Sequence, residues 1–174
     1  MTFPEIKTLL TTQFGPEIIL AEETTGLQPY LLLPTERIAE VCQFLHEHPD
    51  LYFDLLECLT SLDNGLEANT MEIAYNLYSI PYEHGLTLKI RFPRPGSDEK
   101  LPEVPSVAAV WRTADWHERE AYDLMGIRFT GHPDLRRLFL PEDWQGHPLR
   151  KDYTEQERYH GITVKSQIPS SDEE

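Results

Sequence analysis

Glu118 and Glu120 are the first side chains in this sequence that could do acid–base work, since two carboxylates around one proton can divide into donor and acceptor. They do not converge: at roughly 100° per residue, helix positions two apart point about 160° from each other. The seven histidines could hold a metal, but His46 and His48 fall at one helix end, and His132 and His147 each precede a proline in separate turns. Zinc ligands fall at tighter spacing. Cys42 and Cys58 are sixteen residues apart without CxxC, and an ordinary iron–sulfur cluster takes four thiolates. They read as free, structural thiols on buried positions, as a reducing compartment would leave them. Neither GxGxxG nor GxxxxGK[ST] occurs, so no phosphate cradle is present. A standalone small-molecule enzyme would rest on Glu120, Asp123 and a histidine, by residue type alone.

The elements that position these residues follow from periodicity. Ile6, Leu9, Leu10 and Phe14 recur at helical spacing and stop at Gly15-Pro16. Ile18-Ile19-Leu20 and Tyr30 to Leu33 read as two strands joined by a polar turn at Gly26. Pro34-Thr35-Glu36 opens a second helix with Ile38, Val41, Cys42 and Leu45 at i, i+3, i+4 and i+7. Tyr52 to Leu62 has a mixed pattern that ends in the turn Asp63-Asn64-Gly65. Met71, Ile73, Tyr75 and Leu77 alternate with Glu72, Ala74, Asn76 and Tyr78, and Leu86 to Phe92 alternates likewise, which predicts an antiparallel hairpin. Pro93, Pro95, Pro102 and Pro105 then leave no room for a regular element. The expected fold class is α+β: a small, mainly antiparallel sheet with packed helices, followed by an extended C-terminal segment. The expected division is an α+β domain over 1–105, an interface segment over 106–153, and an unstructured tail over 154–174.

The segment after Pro105 has its own style. Asp115 as N-cap, Glu118 three residues on as capping-box partner and Gly126 beyond the end bracket a helix over Trp116 to Met125. Ala121, Tyr122, Leu124 and Met125 share its inward side, while Trp116, Arg119, Glu120 and Asp123 form an outer stripe. Two Gly-His-Pro turns follow, at Gly131 and Gly146, each succeeded by paired cations: Arg136-Arg137, then Arg150-Lys151. From Glu118 to Tyr153 six Lys/Arg face seven Asp/Glu, so the segment carries only −1 of the net −15. A balanced segment with an indole and several guanidinium forks suits desolvated contact with carboxylates and backbone carbonyls, as at a protein interface. The acidity elsewhere repels phosphate backbones and excludes a nucleic-acid partner. No run approaches the roughly 20 apolar residues of a membrane span, and no basic region followed by an apolar run opens the sequence, so neither insertion nor secretion is expected.

The run Glu118-Arg119-Glu120-Ala121-Tyr122-Asp123-Leu124-Met125, with His132, Arg136 and Leu138-Phe139 after it, resembles the signature of the complex I 30-kilodalton subunit family. The run from Gly146 to Tyr153, GHPLRKDY, resembles that family's second hallmark. The resemblance implies a non-catalytic peripheral-arm subunit of a proton-translocating NADH:quinone oxidoreductase, on the cytoplasmic face of the inner membrane. It implies no cofactor in this chain, with FMN and iron–sulfur clusters in partner subunits. Its contacts would be the quinone-site D subunit, which it would brace, and neighbouring iron–sulfur subunits. The interface residues would be Trp116, Arg119, Glu120, Asp123, His132, Asp134, Arg136, Arg137, His147, Arg150, Lys151 and Asp152. Ferredoxin-, F420H2- and hydrogenase-linked complexes contain relatives, and the signature does not choose among electron donors.

Overall fold

Alternation between one apolar and one polar face organises the middle of the chain, and a computed structural model, which describes residues 1–96 and 100–164, shows the hairpin it dictates. Strand β4 (Thr70–Ser79) runs antiparallel to β5 (His84–Pro93) with Met71 opposite Phe92, Ile73 opposite Ile90, Tyr75 opposite Leu88 and Leu77 opposite Leu86. All eight are buried. On the other face Glu72 sits opposite Arg91 and accepts its Nε–H at 2.7 Å. The segment of mixed pattern forms β3 (Leu55–Asp63) on the far side of β4, with a bulge between Leu56 and Cys58.

The sheet has five strands in the order β1 (Ala21–Glu23), β2 (Tyr30–Leu33), β5, β4, β3. Strand β2 is parallel to β5, and this is the sheet's one parallel pair among the described residues. The edge strand β1 lies at Ala21–Glu23, not at Ile18 to Leu20 as expected. Pro16 cannot donate a ladder hydrogen bond and Gly15 turns the chain at φ 90°, so Pro16–Ile18 winds into a 3-10 turn that plugs Ile18 into the core. The strand begins only once that side chain is buried.

Helices α1 (Phe3–Phe14) and α2 (Ile38–Glu47) bury the stripes that spacing predicts: Ile6 and Leu10 from one, Ile38, Val41, Cys42 and Leu45 from the other. A short α3 (Gly65–Ala68) follows the Asp63-Asn64 turn. The proline-rich stretch does hold a regular element, contrary to expectation. Strand β6 (Glu103–Pro105) pairs in parallel with β7 (Arg128–Thr130), between which α4 (Arg112–Met125) crosses over. A three-residue pair tolerates Pro105 at its end, and it buries Val104 and Phe129.

The core does not divide at Pro105, because Val104, Val107, Trp111, Ala114, Ala121, Met125 and Phe129 join the same apolar cluster as the sheet and α2. Within Thr154 to Glu174, β8 (Arg158–Tyr159) and β9 (Ile162–Thr163) make a small hairpin where the sequence predicts no element, and the remainder from 165 lies outside the described residues. Tyr159 and His160 both donate to Asp143, at 2.7 Å each, and the Tyr159 ring lies 5.1 Å from that of Trp144. Those contacts hold the hairpin.

Tyr75 carries a fully buried hydroxyl without a hydrogen-bond partner among the described residues. An unpaired buried polar group costs about 1–3 kcal/mol, so Tyr75→Phe should leave stability unchanged or raise it by about 1 kcal/mol. Urea denaturation measures this; a loss of more than that amount would show that the hydroxyl has a partner in solution.

Candidate partner interface

Helix α4 starts earlier than its sequence suggests. Trp111 is the N-cap residue, in extended conformation, and no side chain caps the helix start. Burial fixes that start instead: the indole is 4% exposed and its Nε1–H donates to Phe53 O at 2.9 Å, while Thr113 Oγ1 donates to Leu56 O. Asp115 therefore lies inside the first turn, and Glu118 is not a capping-box partner. Its carboxyl is fully buried, accepting Val107 N–H at 2.7 Å and bonded to Ser106 Oγ. Burial pushes it up to about 7, with the Ser106 and Val107 bonds opposing and Asp115 adding to the rise.

The outer stripe divides. Asp123 points inward and is fully buried, whereas Trp116 is 60% exposed and Glu120 is exposed with no hydrogen bond or ion pair among the described residues. Arg119 lies between, its guanidinium 5.3 Å from the centre of the Trp116 ring and its Nε–H donating to Arg136 O. Asp123 Oδ2 accepts the consecutive amides of Leu138, Phe139 and Leu140 at 3.0, 2.7 and 2.9 Å. Its Oδ1 accepts Arg137 Nη1 at 2.9 Å. Burial works to raise this carboxyl, but the three amides and the guanidinium hold it below the usual carboxylate range. Arg137 also donates to Trp144 O.

The second Gly-His-Pro run closes the other end of α4. A helix leaves its last carbonyls without intrahelical partners. Here His147 Nδ1 meets Asp123 O at 2.9 Å, Leu149 N–H meets Leu124 O at 3.0 Å, and Arg150 donates Nε–H to Met125 O and Nη2–H to Gly126 O, at 2.8 and 3.1 Å. Facing a carbonyl, His147 must carry its proton on Nδ1, and burial keeps the ring below the ordinary histidine range. Gly126 makes this approach possible. It stands at φ 66°, and a Cβ there would come within 2.5 Å of the His147 ring. The first such turn docks on the same helix: His132 accepts Asp134 N–H on Nδ1 at 3.0 Å and lies 3.3 Å from both Asp115 O and its Oδ1. The His132 side chain is fully buried.

Lys151 and Asp152 reach back to the sheet. Arg94, after β5, pairs with Asp63, at the end of β3, at 2.9 Å, and both side chains are at most 3% exposed. Asp63 also accepts Gly65 N–H and Lys151 N–H at 2.9 Å each, and Arg94 Nη2 pairs with Asp152. Burial works to raise Asp63, yet Arg94 and the amides hold it low. Sequence reasoning misses this pair, because Asp63 reads as a turn residue and Arg94 as part of a proline-rich loop.

Of the expected interface residues, then, Asp123, His132, Arg137, His147, Arg150 and Asp152 are tied within the chain. So is Lys151, through its amide. Asp134 and Arg136 pair locally at 2.9 Å on the exposed surface, and Trp116 and Glu120 face outward. Phe139 and Leu149, outside that set, are also exposed, at 63% and 58%. In the sequence Leu138-Phe139 signals only the motif, with nothing to mark the ring as outward. Cys42 is fully buried and Cys58 half-buried, its Sγ 3.1 Å from Thr60 Oγ1.

Removing Asp123 takes away the acceptor of Arg137 Nη1 and of three amides, and breaking a buried charge pair costs roughly 3–5 kcal/mol. Asp123→Ala should lower the free energy of unfolding of the isolated chain by about that much at neutral pH. Because the folded carboxyl titrates low, its contribution is present above the ordinary aspartate value and fades as the pH falls through the folded value, so wild type and variant should converge in strong acid. Parallel stability curves for the two chains would contradict the network.

Comparison with known proteins agrees with the motifs. The family described as Respiratory-chain NADH dehydrogenase, 30 Kd subunit matches residues 31–159. The C subunit of the NADH-quinone oxidoreductase of Chlorobium phaeobacteroides is 42% identical over 153 residues, covering 87% of this chain and 89% of that protein. Rhizobium etli has an NADH-quinone oxidoreductase C subunit, numbered 2, that is 49% identical over 141 residues, covering 81% and 72%. The fold is similar to a chain in the structure of the membrane-bound sulfane sulfur reductase, an archaeal respiratory membrane complex, with a TM-score of 0.68 at 20% identity over 87% of this chain and 85% of that one. Family match and relatives together establish that this chain belongs to the 30 Kd subunit family of the respiratory-chain NADH dehydrogenase, the family of the NADH-quinone oxidoreductase C subunits.

Proposed function

We propose that this chain is a non-catalytic peripheral subunit of a proton-translocating NADH:quinone oxidoreductase, seated on the cytoplasmic face of the inner membrane. It braces the quinone-site D subunit and touches neighbouring iron–sulfur subunits, which with the flavin subunit carry the FMN and clusters. The names of its relatives support the complex. Among the described residues no helix is long and apolar enough to cross a membrane, in keeping with attachment through partners.

The observation that carries the reading is the division of labour in the segment from Ser106 to Tyr153. Its carboxylates and guanidinium groups are largely spent on fastening the segment to α4 and the sheet, while Trp116, Phe139 and Leu149 are held outward. Large apolar side chains on a stiff frame lose little freedom on docking, and aromatic anchors supply most of the energy of interfaces. Arg119, its guanidinium against the indole, provides a polar rim.

Replacing both aromatic anchors tests this. Interface hot spots are worth about 2 kcal/mol or more, roughly thirtyfold in an association constant. Trp116→Ala with Phe139→Ala should therefore deplete assembled complex in native membrane extracts, while the urea midpoint of the isolated chain stays put and turnover per assembled complex stays normal. Normal complex content would sink the interface. Normal content with abolished NADH:quinone turnover would return catalysis to this chain.

A further inference from the structure

Among the described residues the fastening network leaves one buried carboxyl without a cation. Glu118 is fully enclosed beneath α4, and among the described residues no Lys or Arg pairs with it. The titratable groups around it are Asp115 on its own helix, His132 from the turn after β7, Cys42 from α2 and Tyr75 from β4, with the Ser106 hydroxyl against it. His132 is the one candidate cation, its Nε2 3.9 Å from Glu118 Oε2. But His132 Nδ1 accepts the Asp134 amide proton, so that nitrogen holds a lone pair and the ring is the neutral Nε2–H tautomer. Asp115 is an anion or a neutral acid. Among the described residues nothing in the enclosure supplies a positive charge.

A buried carboxylate without a counter-ion is costly, and such a group takes up a proton instead. The geometry accommodates that proton. Glu118 Oε1 accepts the Val107 amide and Oε2 accepts the Ser106 hydroxyl; once Oε2 carries a proton that hydroxyl can rotate and accept it, as it already accepts from Ala108 N–H. We propose that Glu118 is a proton-binding site of this subunit, and that its protonation state sets how firmly the Ser106 loop and the His132 turn are seated on α4. Loss of the proton puts a charge in the enclosure that only two responses relieve. Either His132 takes a proton on Nδ1 and breaks its bond from Asp134 N–H, or the loop at Ser106 to Ala108 opens to water. The first moves the backbone that leads into Arg136 and Phe139, and the second pulls on the same stretch through the Ser106 N–H bond to Thr130 O at 2.9 Å, so on the proposed function above the state of Glu118 reaches the surface offered to partners.

The charge arithmetic gives direction and size. Burial raises this carboxyl to about 7 from an ordinary 4.5, a proton affinity about three-hundredfold higher. The folded chain holds the proton more tightly than the unfolded chain, so stability from this group is complete below the ordinary glutamate value, declines as pH rises, and is gone above about 7.

The test is a carbon-detected NMR titration of glutamate side chains in the full chain, with nitrogen shifts of the His132 ring and the Asp134 amide followed alongside. The expected result is a Glu118 carboxyl that ionises near neutrality, an Asp134 amide that shifts with the same midpoint, and a His132 ring protonated on Nε2 alone below it. Glu118→Gln, neutral at every pH, should abolish the shared step while the turn stays docked. A Glu118 midpoint in the ordinary glutamate range overturns the proposal. So does an imidazolium at His132 beside an ionised Glu118 at pH 6, or an Asp134 amide indifferent to the Glu118 step. The wild-type titration decides alone if the Gln variant fails to fold.

Discussion

The end of α4 is the constraint on which the second half of this protein depends. A helix that stops against a sheet strands its last carbonyls where water reaches them poorly, and each unmet buried polar group costs about 1–3 kcal/mol. The run from His147 to Arg150 meets four of them, at Asp123, Leu124, Met125 and Gly126, with one imidazole, one amide and one guanidinium fork. The cation also lies at the negative end of the helix dipole. Since the penalty for leaving these groups unmet exceeds the net gain of an average hydrogen bond, the run is less an addition to the fold than a condition of it. Gly126 shows how close the fit is, because the space a Cβ would need is filled by the His147 ring.

The same chain segment is tied at two further points, and their positions matter more than their number. Asp123 gathers the amides of Leu138 to Leu140, which fixes the loop between the two Gly-His-Pro turns. Asp63 and Arg94 receive Lys151 and Asp152, which fixes the exit of the second turn on the sheet. A buried ion pair is weak evidence for net stability, since desolvation offsets much of its attraction. What these pairs contribute is register: this placement of the segment satisfies Asp123, Asp152 and the last carbonyls of α4 at once.

The sheet and the amphipathic helices were legible in the sequence because burial of one face imposes a period. Met71 to Leu77 and Leu86 to Phe92 alternate because their other face meets polar partners such as the Glu72–Arg91 pair, and Ile38 to Leu45 repeat because one stripe enters the core. Elements fixed by a distant partner leave no such trace. Trp111 opens α4 through its burial and a bond to Phe53 O, fifty-eight residues away in sequence, so the local capping pattern at Asp115 and Glu118 points to the wrong start. The β6–β7 pair, three residues long and joined across a whole helix, has no local period. Ile18 is apolar beside Ile19 and reads as strand, but a proline and a left-handed glycine force the tighter turn.

Residue types in the site were legible, and their direction was not. Guanidinium forks beside carboxylates fit a partner's surface and a helix's own carbonyls equally well, and spacing cannot tell the two acceptors apart. Asp123 shows this: one step of helical rotation separates an exposed stripe from a buried anchor, and the three amides that decide the matter come from fifteen to seventeen residues downstream. Once the inward bonds are assigned, the near-neutral charge of the segment has a physical reason. Its charges cancel chiefly against one another and against the sheet. The outward surface keeps Trp116, Phe139 and Leu149 among a lone Glu120, the local Asp134–Arg136 pair and other exposed charges such as Arg112 and Glu142, so on the proposed reading a partner would meet apolar anchors set in a polar surround on a frame already ordered. Ordering completed during folding is entropy not spent on binding, so under that proposal a modest patch would suffice to hold the subunit in place.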